Sequence, residues 1–124
     1  MSGARPIVVV GDSLLDRDVH GVVERVCPDA PVPVFDQRDV VDRPGGAALA
    51  ALLAARQGST VTLVTATADD EAGETLRGLL AAEGVDLVDL GLLGATPEKV
   101  RLRAAGQSLL RLDRGGPPGV GRRS

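Results

Sequence analysis

Two glycine turns constrain this chain most. Ile7-Val8-Val9-Val10 is a continuous apolar run broken by Gly11-Asp12, and Arg43-Pro44-Gly45-Gly46 later leads into an Ala- and Leu-rich stretch. A β-branched run closed by glycine reads as a short strand covered on both faces. A Gly-Gly pair ahead of a proline-free Ala/Leu segment reads as a tight turn feeding a helix, here from Gly45 to Gln57 with Gly58 as its stop. From Val19 to Asp42, valines interleave with charges and with Pro28, Pro31 and Pro33. That pattern fits extended, edge-type strand rather than helix.

The rest of the chain alternates. Thr60 to Thr65 reads as a strand, and Asp69-Asp70-Glu71 supplies the acidic first turn of a helix running to about Glu83 and stopped by Gly84. Leu76, Leu79, Leu80 and the adjacent Val85 mark its apolar side. Val85 to Leu90 is a further strand, and Glu98–Arg103 and Ser108–Asp113 are extended runs joined by a turn at Ala104-Ala105-Gly106. Alternating strands and helices predict an α/β fold, a parallel sheet with helices packed on it. The insert and the hairpin fall outside that alternation and are expected to form a small separate β sheet, a lid, from segments at about 17–43 and 97–113. The predicted domain covers residues 1–114. Residues 115–124 are Gly, Pro, Arg and Ser with one Val, a composition expected to be disordered.

Composition narrows the function classes. Among 124 residues Phe35 is the only aromatic, so the core must come from Val, Leu and Ala. The net charge of -3 argues against a general nucleic-acid-binding role. No apolar run approaches the roughly 18 residues that span a bilayer, and residues 1–10 lack the features of a signal peptide; the expected location is the cytoplasm, away from membranes. Cys27 is alone, which excludes an internal disulfide, and His20 has no second His or Cys with which to build a metal site.

Candidate binding residues cluster at the glycine turns. Ligands of open parallel sheets sit beyond the carboxyl ends of the strands, where Asp12 follows Gly11. Asp12 and Asp16 together would suit a polyhydroxylated ligand, because carboxylate oxygens accept hydrogen bonds from hydroxyls; the alternative is a turn cap and a solvated acid. Gly45 and Gly46 would let backbone N–H groups approach a ligand, or would only permit tight helix–sheet packing. Lys99, Arg101, Arg103, Arg111 and Arg114 on the hairpin could meet a phosphorylated ligand, or form a solvated strand face. The sequence contains no Gly-x-x-x-x-Gly-Lys-Ser/Thr loop, no Gly-x-Gly-x-x-Gly fingerprint and no Gly-x-Ser-x-Gly elbow.

Read in order, Val9-Val10-Gly11-Asp12-Ser13-Leu14-Leu15-Asp16-Arg17, Pro28-Asp29-Ala30-Pro31-Val32-Pro33-Val34, Arg43-Pro44-Gly45-Gly46-Ala47-Ala48, Lys99-Val100-Arg101 and Gln107-Ser108-Leu109-Leu110-Arg111-Leu112-Asp113 resemble the phosphofructokinase-B (ribokinase-like) carbohydrate kinases. Within that family they look most like the D-glycero-D-manno-heptose 7-phosphate kinase domain of the bacterial ADP-heptose pathway. The resemblance implies the N-terminal half of a ribokinase-like parallel-sheet sandwich with a β lid, and ATP-dependent phosphorylation of a sugar phosphate. It places Asp12, Asp16, Gly45 and Gly46 at the sugar and Lys99, Arg101 and Arg111 on the lid side, where a substrate phosphate needs cations. It also implies ATP and Mg2+ for the full-length enzyme, and as partners a homodimer through the lid or a complementing C-terminal half.

The departures from the family pattern are as telling. The family carries an Asn after Gly-Gly-Ala-Ala, whereas this chain has Leu49 and no Asn at all. A lost polar contact of that kind costs a site about 1–3 kcal/mol. Ala105-Gly106 stands where the family tends to have Arg-His. The Gly-Ala-Gly-Asp motif, whose Asp is the general base, is absent. No catalytic residue is therefore expected here: the chain reads as a truncated sugar-binding part unable to transfer phosphate alone, or as a non-catalytic subunit that completes a separately encoded half.

Overall fold

The computed structural model describes residues 5–29 and 31–115. Two sheets and two helices follow one another as β1 (Pro6–Val10), β2 (Ser13–Val26), β3 (Pro33–Gly46), α1 (Ala47–Arg56), β4 (Thr60–Thr65), α2 (Glu71–Ala82), β5 (Asp86–Asp89), β6 (Glu98–Ala104) and β7 (Gln107–Arg114). Strands β1, β4 and β5 form a three-stranded parallel sheet in the order β1-β4-β5. The insert and the hairpin meet in a four-stranded sheet ordered β3-β2-β6-β7, with β2 and β6 parallel at its centre. Both sheets and the α/β class follow the sequence expectation. The predicted tail lies, from residue 116 on, outside the described residues.

Local chemistry explains the helix limits. α1 is built of Ala and Leu, which lose little rotamer freedom in a helix. α2 starts at Asp70, whose carboxylate accepts a hydrogen bond from the Gly73 N–H at 2.9 Å, and carries Glu71 and Glu74 in its first turn. Both helices pack on the same face of the parallel sheet. Leu15, Ala48, Ala51, Val61, Leu63, Ala72, Leu76, Leu80 and Val85 form the core there. Leu15 enters from β2, so the second sheet is anchored in the same core as the first. Arg56 at the end of α1 makes a two-pronged ion pair with Glu83 just past α2, at 3.0 and 2.8 Å.

One expectation is overturned. β1 reads in the sequence as a strand covered on both faces, yet Val8 is 64% exposed and Val10 71% exposed. Val9 packs toward the core, while Val8 and Val10 point to the opposite face of the sheet. That face carries no helix layer among the described residues, and β1 lies at the edge of its sheet. Val88 and Leu90 are about half exposed as well. No described helix is long and apolar enough to cross a membrane.

Candidate functional site

The turn after β1 is fixed from several directions. The Gly11 N–H donates to the Val64 carbonyl at 3.2 Å, and the Thr65 hydroxyl donates to the Gly11 carbonyl at 2.7 Å and lies 2.8 Å from Ser13 Oγ. The next carbonyl, that of Asp12, accepts from the Ala47 N–H at 2.9 Å. The first turn of α1 is thereby tied to the carboxyl end of β1. Gly46 has φ +64°, and a Cβ there would stand 2.6 Å from the Asp12 carbonyl oxygen. A Cβ on Gly45 would stand 2.7 Å from Asp16 Oδ2. The glycines therefore admit the chain's own backbone at Gly46, and the Leu14 side chain and the Asp16 carboxylate at Gly45.

Strand register assembles the charges. Asp16 on β2 lies opposite Arg43 on β3 and Lys99 on β6, and Lys99 lies opposite Asp113 on β7. One step along, Asp18 neighbours Arg101, and Arg101 neighbours Arg111. Cross-strand neighbours share a face, so Asp16, Asp18, Arg43, Lys99, Arg101, Arg111 and Asp113 all lie on one side of the sheet. Arg101 Nη1 stands 3.3 Å from Asp16 Oδ1 and 4.0 Å from Asp18 Oδ1, and Arg43 Nη2 stands 2.8 Å from Asp18 Oδ2. Arg111 makes a two-pronged pair with Asp113 at 2.8 and 3.0 Å; that hydrogen bond and charge raise the Arg111 pKa.

The structure thus brings Asp16, Gly45, Lys99, Arg101 and Arg111 together on one sheet face, with Asp12 and Gly46 at its base. The Asp12 side chain is exposed, as is Leu49 in the first turn of α1. Arg43 and Asp18 belong to the charged face too, and sequence reasoning missed both. The period-two alternation Asp16, Asp18 and Lys99, Arg101 was the signal that could have found Asp18. Arg43 follows only from its pairing with Asp16.

The opposite face holds a second ionic cluster that the sequence did not disclose. Arg17 stands 3.1 Å from Asp42 on β3, 3.1 Å from Glu71 on α2 and 3.4 Å from Glu98 on β6. Burial alone would lower the Arg17 pKa; the Glu71 hydrogen bond and the three carboxylate charges outweigh it and raise it. Further from the site, Asp70 accepts from the Thr96 N–H and hydroxyl at 2.9 and 2.8 Å. At the far end of the second sheet an open apolar groove of about 920 Å³ is lined by Phe35, Val23, Leu102, Leu109 and Leu110 among others.

The chain is similar to known proteins in sequence and in fold. The chain is 54% identical over 111 residues to the Bifunctional protein HldE of Streptomyces coelicolor, covering 90% of this chain and 24% of that protein. A carbohydrate kinase from Agrobacterium tumefaciens superposes with a TM-score of 0.71 at 20% identity, over 90% of this chain and 35% of the other. Ribokinase from Thermotoga maritima gives 0.62 at 18% identity, over 90% and 36%. The chain thus spans about a quarter of the curated relative and about a third of the solved kinases. The family model for pfkB family carbohydrate kinases matches residues 4–107, which takes in both glycine turns and the charged strands β2, β3 and β6, and to that family the chain belongs.

Proposed function

We propose that this chain is the sugar-phosphate-binding part of a heptose-phosphate-type kinase fold, and that it does not transfer phosphate with its own residues. The observation that carries this reading is the charged sheet face, where Asp16 sits among Lys99, Arg101 and Arg43 beside Gly45-Gly46. Carboxylates accept from sugar hydroxyls and guanidinium groups hold phosphate oxygens, so one face offers both halves of a sugar phosphate. In this reading Asp12 and Gly46 line the base of the site, and Lys99, Arg101 and Arg111 face the phosphate.

ATP and its Mg2+ are assigned to no residue of this chain. Among the described residues no group of three or more His, Cys, Asp or Glu could hold a metal ion. Two measurements test the proposal. Calorimetric titration with heptose 7-phosphate should show saturable binding that Asp16→Ala weakens. An assay of ATP consumption with the same sugar phosphate should show no turnover, and sustained turnover by the purified chain would refute the second half of the proposal.

The bare face of the parallel sheet favours a second reading, in which the chain works as a subunit completed by another polypeptide. Among the described residues, Val8, Val10 and Val88 lie on a face without helices and β1 has no strand on its outer side. A separately encoded C-terminal half would cover them. Pairing of two chains through the apolar groove of the second sheet would give a homodimer. Co-purification with a tagged C-terminal half, and sedimentation of the chain alone, separate these outcomes.

A further inference from the structure

The guanidinium placed for a phosphate already holds the carboxylate placed for the sugar. Arg101 meets Asp16 through one contact of 3.3 Å, with no second prong, and Asp18 at 4.0 Å. Arg101 is about one-third exposed, so solvent and ligand can reach it. Across the strand pair it lies opposite Arg111, with Lys99 two residues before it on the same face. Arg111 already has Asp113 as a two-pronged partner at 2.8 and 3.0 Å, so Arg101, with its single long contact, is the guanidinium free to turn to a new anion. A phosphate offers the planar fork two oxygens at once, which a lone contact to Asp16 does not.

We propose that Arg101 sets specificity by exchange. In the free protein it masks Asp16; a phosphorylated ligand draws the guanidinium onto its phosphate, and Asp16 is released to accept hydrogen bonds from the sugar hydroxyls. An unphosphorylated sugar competes with Arg101 for Asp16 Oδ1 and offers Arg101 nothing in return. This inference rests on the sugar-phosphate reading above. Linkage makes it reciprocal: phosphate must tighten sugar binding by the same factor by which sugar tightens phosphate binding. A partly exposed ion pair is worth little, so the factor is about two- to five-fold.

The test uses the full 124-residue chain, with unphosphorylated heptose and inorganic phosphate as separate probes at constant ionic strength. In the wild type, saturating phosphate should tighten heptose binding by about two- to five-fold. Arg101→Gln should bind heptose more tightly than the wild type without phosphate, and should lose the response to phosphate. A circular dichroism spectrum and denaturation midpoint of Arg101→Gln that match the wild type separate exchange from a folding defect. Heptose affinity indifferent to phosphate in the wild type, or a phosphate response that survives in Arg101→Gln, would overturn the exchange even where heptose 7-phosphate binds. If neither heptose nor heptose 7-phosphate binds, the sugar-phosphate reading falls and the exchange falls with it.

Discussion

Gly46 ends β3 against the Asp12 carbonyl, at the link between the two sheets. Its φ of +64° lies in the left-handed region, and any side chain would meet the Asp12 carbonyl at 2.6 Å. Gly46→Ala should therefore destabilise the chain by on the order of 1–2 kcal/mol from backbone strain alone, with more from the contact. Denaturant titration measures the first effect, and loss of heptose 7-phosphate binding would follow from displacement of α1. Asp70 gives a pH-dependent counterpart. Burial alone would raise its carboxyl; the hydrogen bonds from Thr96 and Gly73 and the Arg77 charge outweigh that and hold it below its ordinary 3.8. A depressed folded pKa means stability that is present above 3.8 and is lost as pH falls through the folded value. Asp70→Asn puts an amide donor in place of one of the oxygens that accept from Thr96 and Gly73; it should cost about 1 kcal/mol at neutral pH, and the gap to the wild type should narrow on acidification. A gap that stays constant from pH 7 to pH 2 would contradict this role. The sequence placed Asp70 among the acidic residues of the helix start, a local signal, and the structure makes it the cap. Its partner Thr96 was not legible, because only the fold brings the β5–β6 loop onto α2.

At the scale of elements, the same divide between local and distant signals decides what could be read. The helices and most strand limits were legible: proline-free Ala/Leu in α1, glycine stops, and period-two charges in β6 and β7 all act over a few residues. The parallel pairing of β2 with β6 was not, since it joins segments far apart in the chain. Arg17 depends on that pairing. Its guanidinium gathers Asp42, Glu71 and Glu98 from three elements, and only Glu71 belongs to the core layer of helices. Arg17 Nε, Asp42 Oδ1 and Glu98 Oε1 are buried without an aligned hydrogen bond, so charge holds Arg17 to Asp42 and Glu98, while Glu71 accepts hydrogen bonds from it. Arg17→Gln leaves Asp42 and Glu98 without their cation, at a cost of about 1–3 kcal/mol. The loss should be uneven. Hydrogen exchange should accelerate in β2 and β3, through which the second sheet leans on α2, while β4 and its core contacts keep their protection. Uniform acceleration across both sheets would show that Arg17 supports global stability rather than the angle between sheet and helix.

For the whole molecule the deciding fact is that, among the described residues, the parallel sheet carries helices on one face only. Parallel sheets are ordinarily covered on both sides, and the valine run of β1 was read accordingly; no local pattern says whether the second layer is present. Val8 at 64% and Val10 at 71% exposure, with Val88 and Leu90 about half exposed, make a contiguous apolar surface beside an unpaired strand edge. Water contact with such a surface is costly, and a free edge is a template for another strand. The 124-residue chain in isolation is accordingly expected to self-associate, with a broad rather than a cooperative melt. Val8→Lys places a charge on the bare face without touching the core, which Val9 serves. Burying one valine is worth about 1.5–3 kcal/mol, so the substitution should weaken association by about tenfold or more in sedimentation measurements, with unchanged circular dichroism. The same variant should also bind a complementing C-terminal half less tightly. A wild-type chain that sediments as a monomer and melts sharply would mean that the apolar groove and face are tolerated in water, and would remove the physical case for a covering partner.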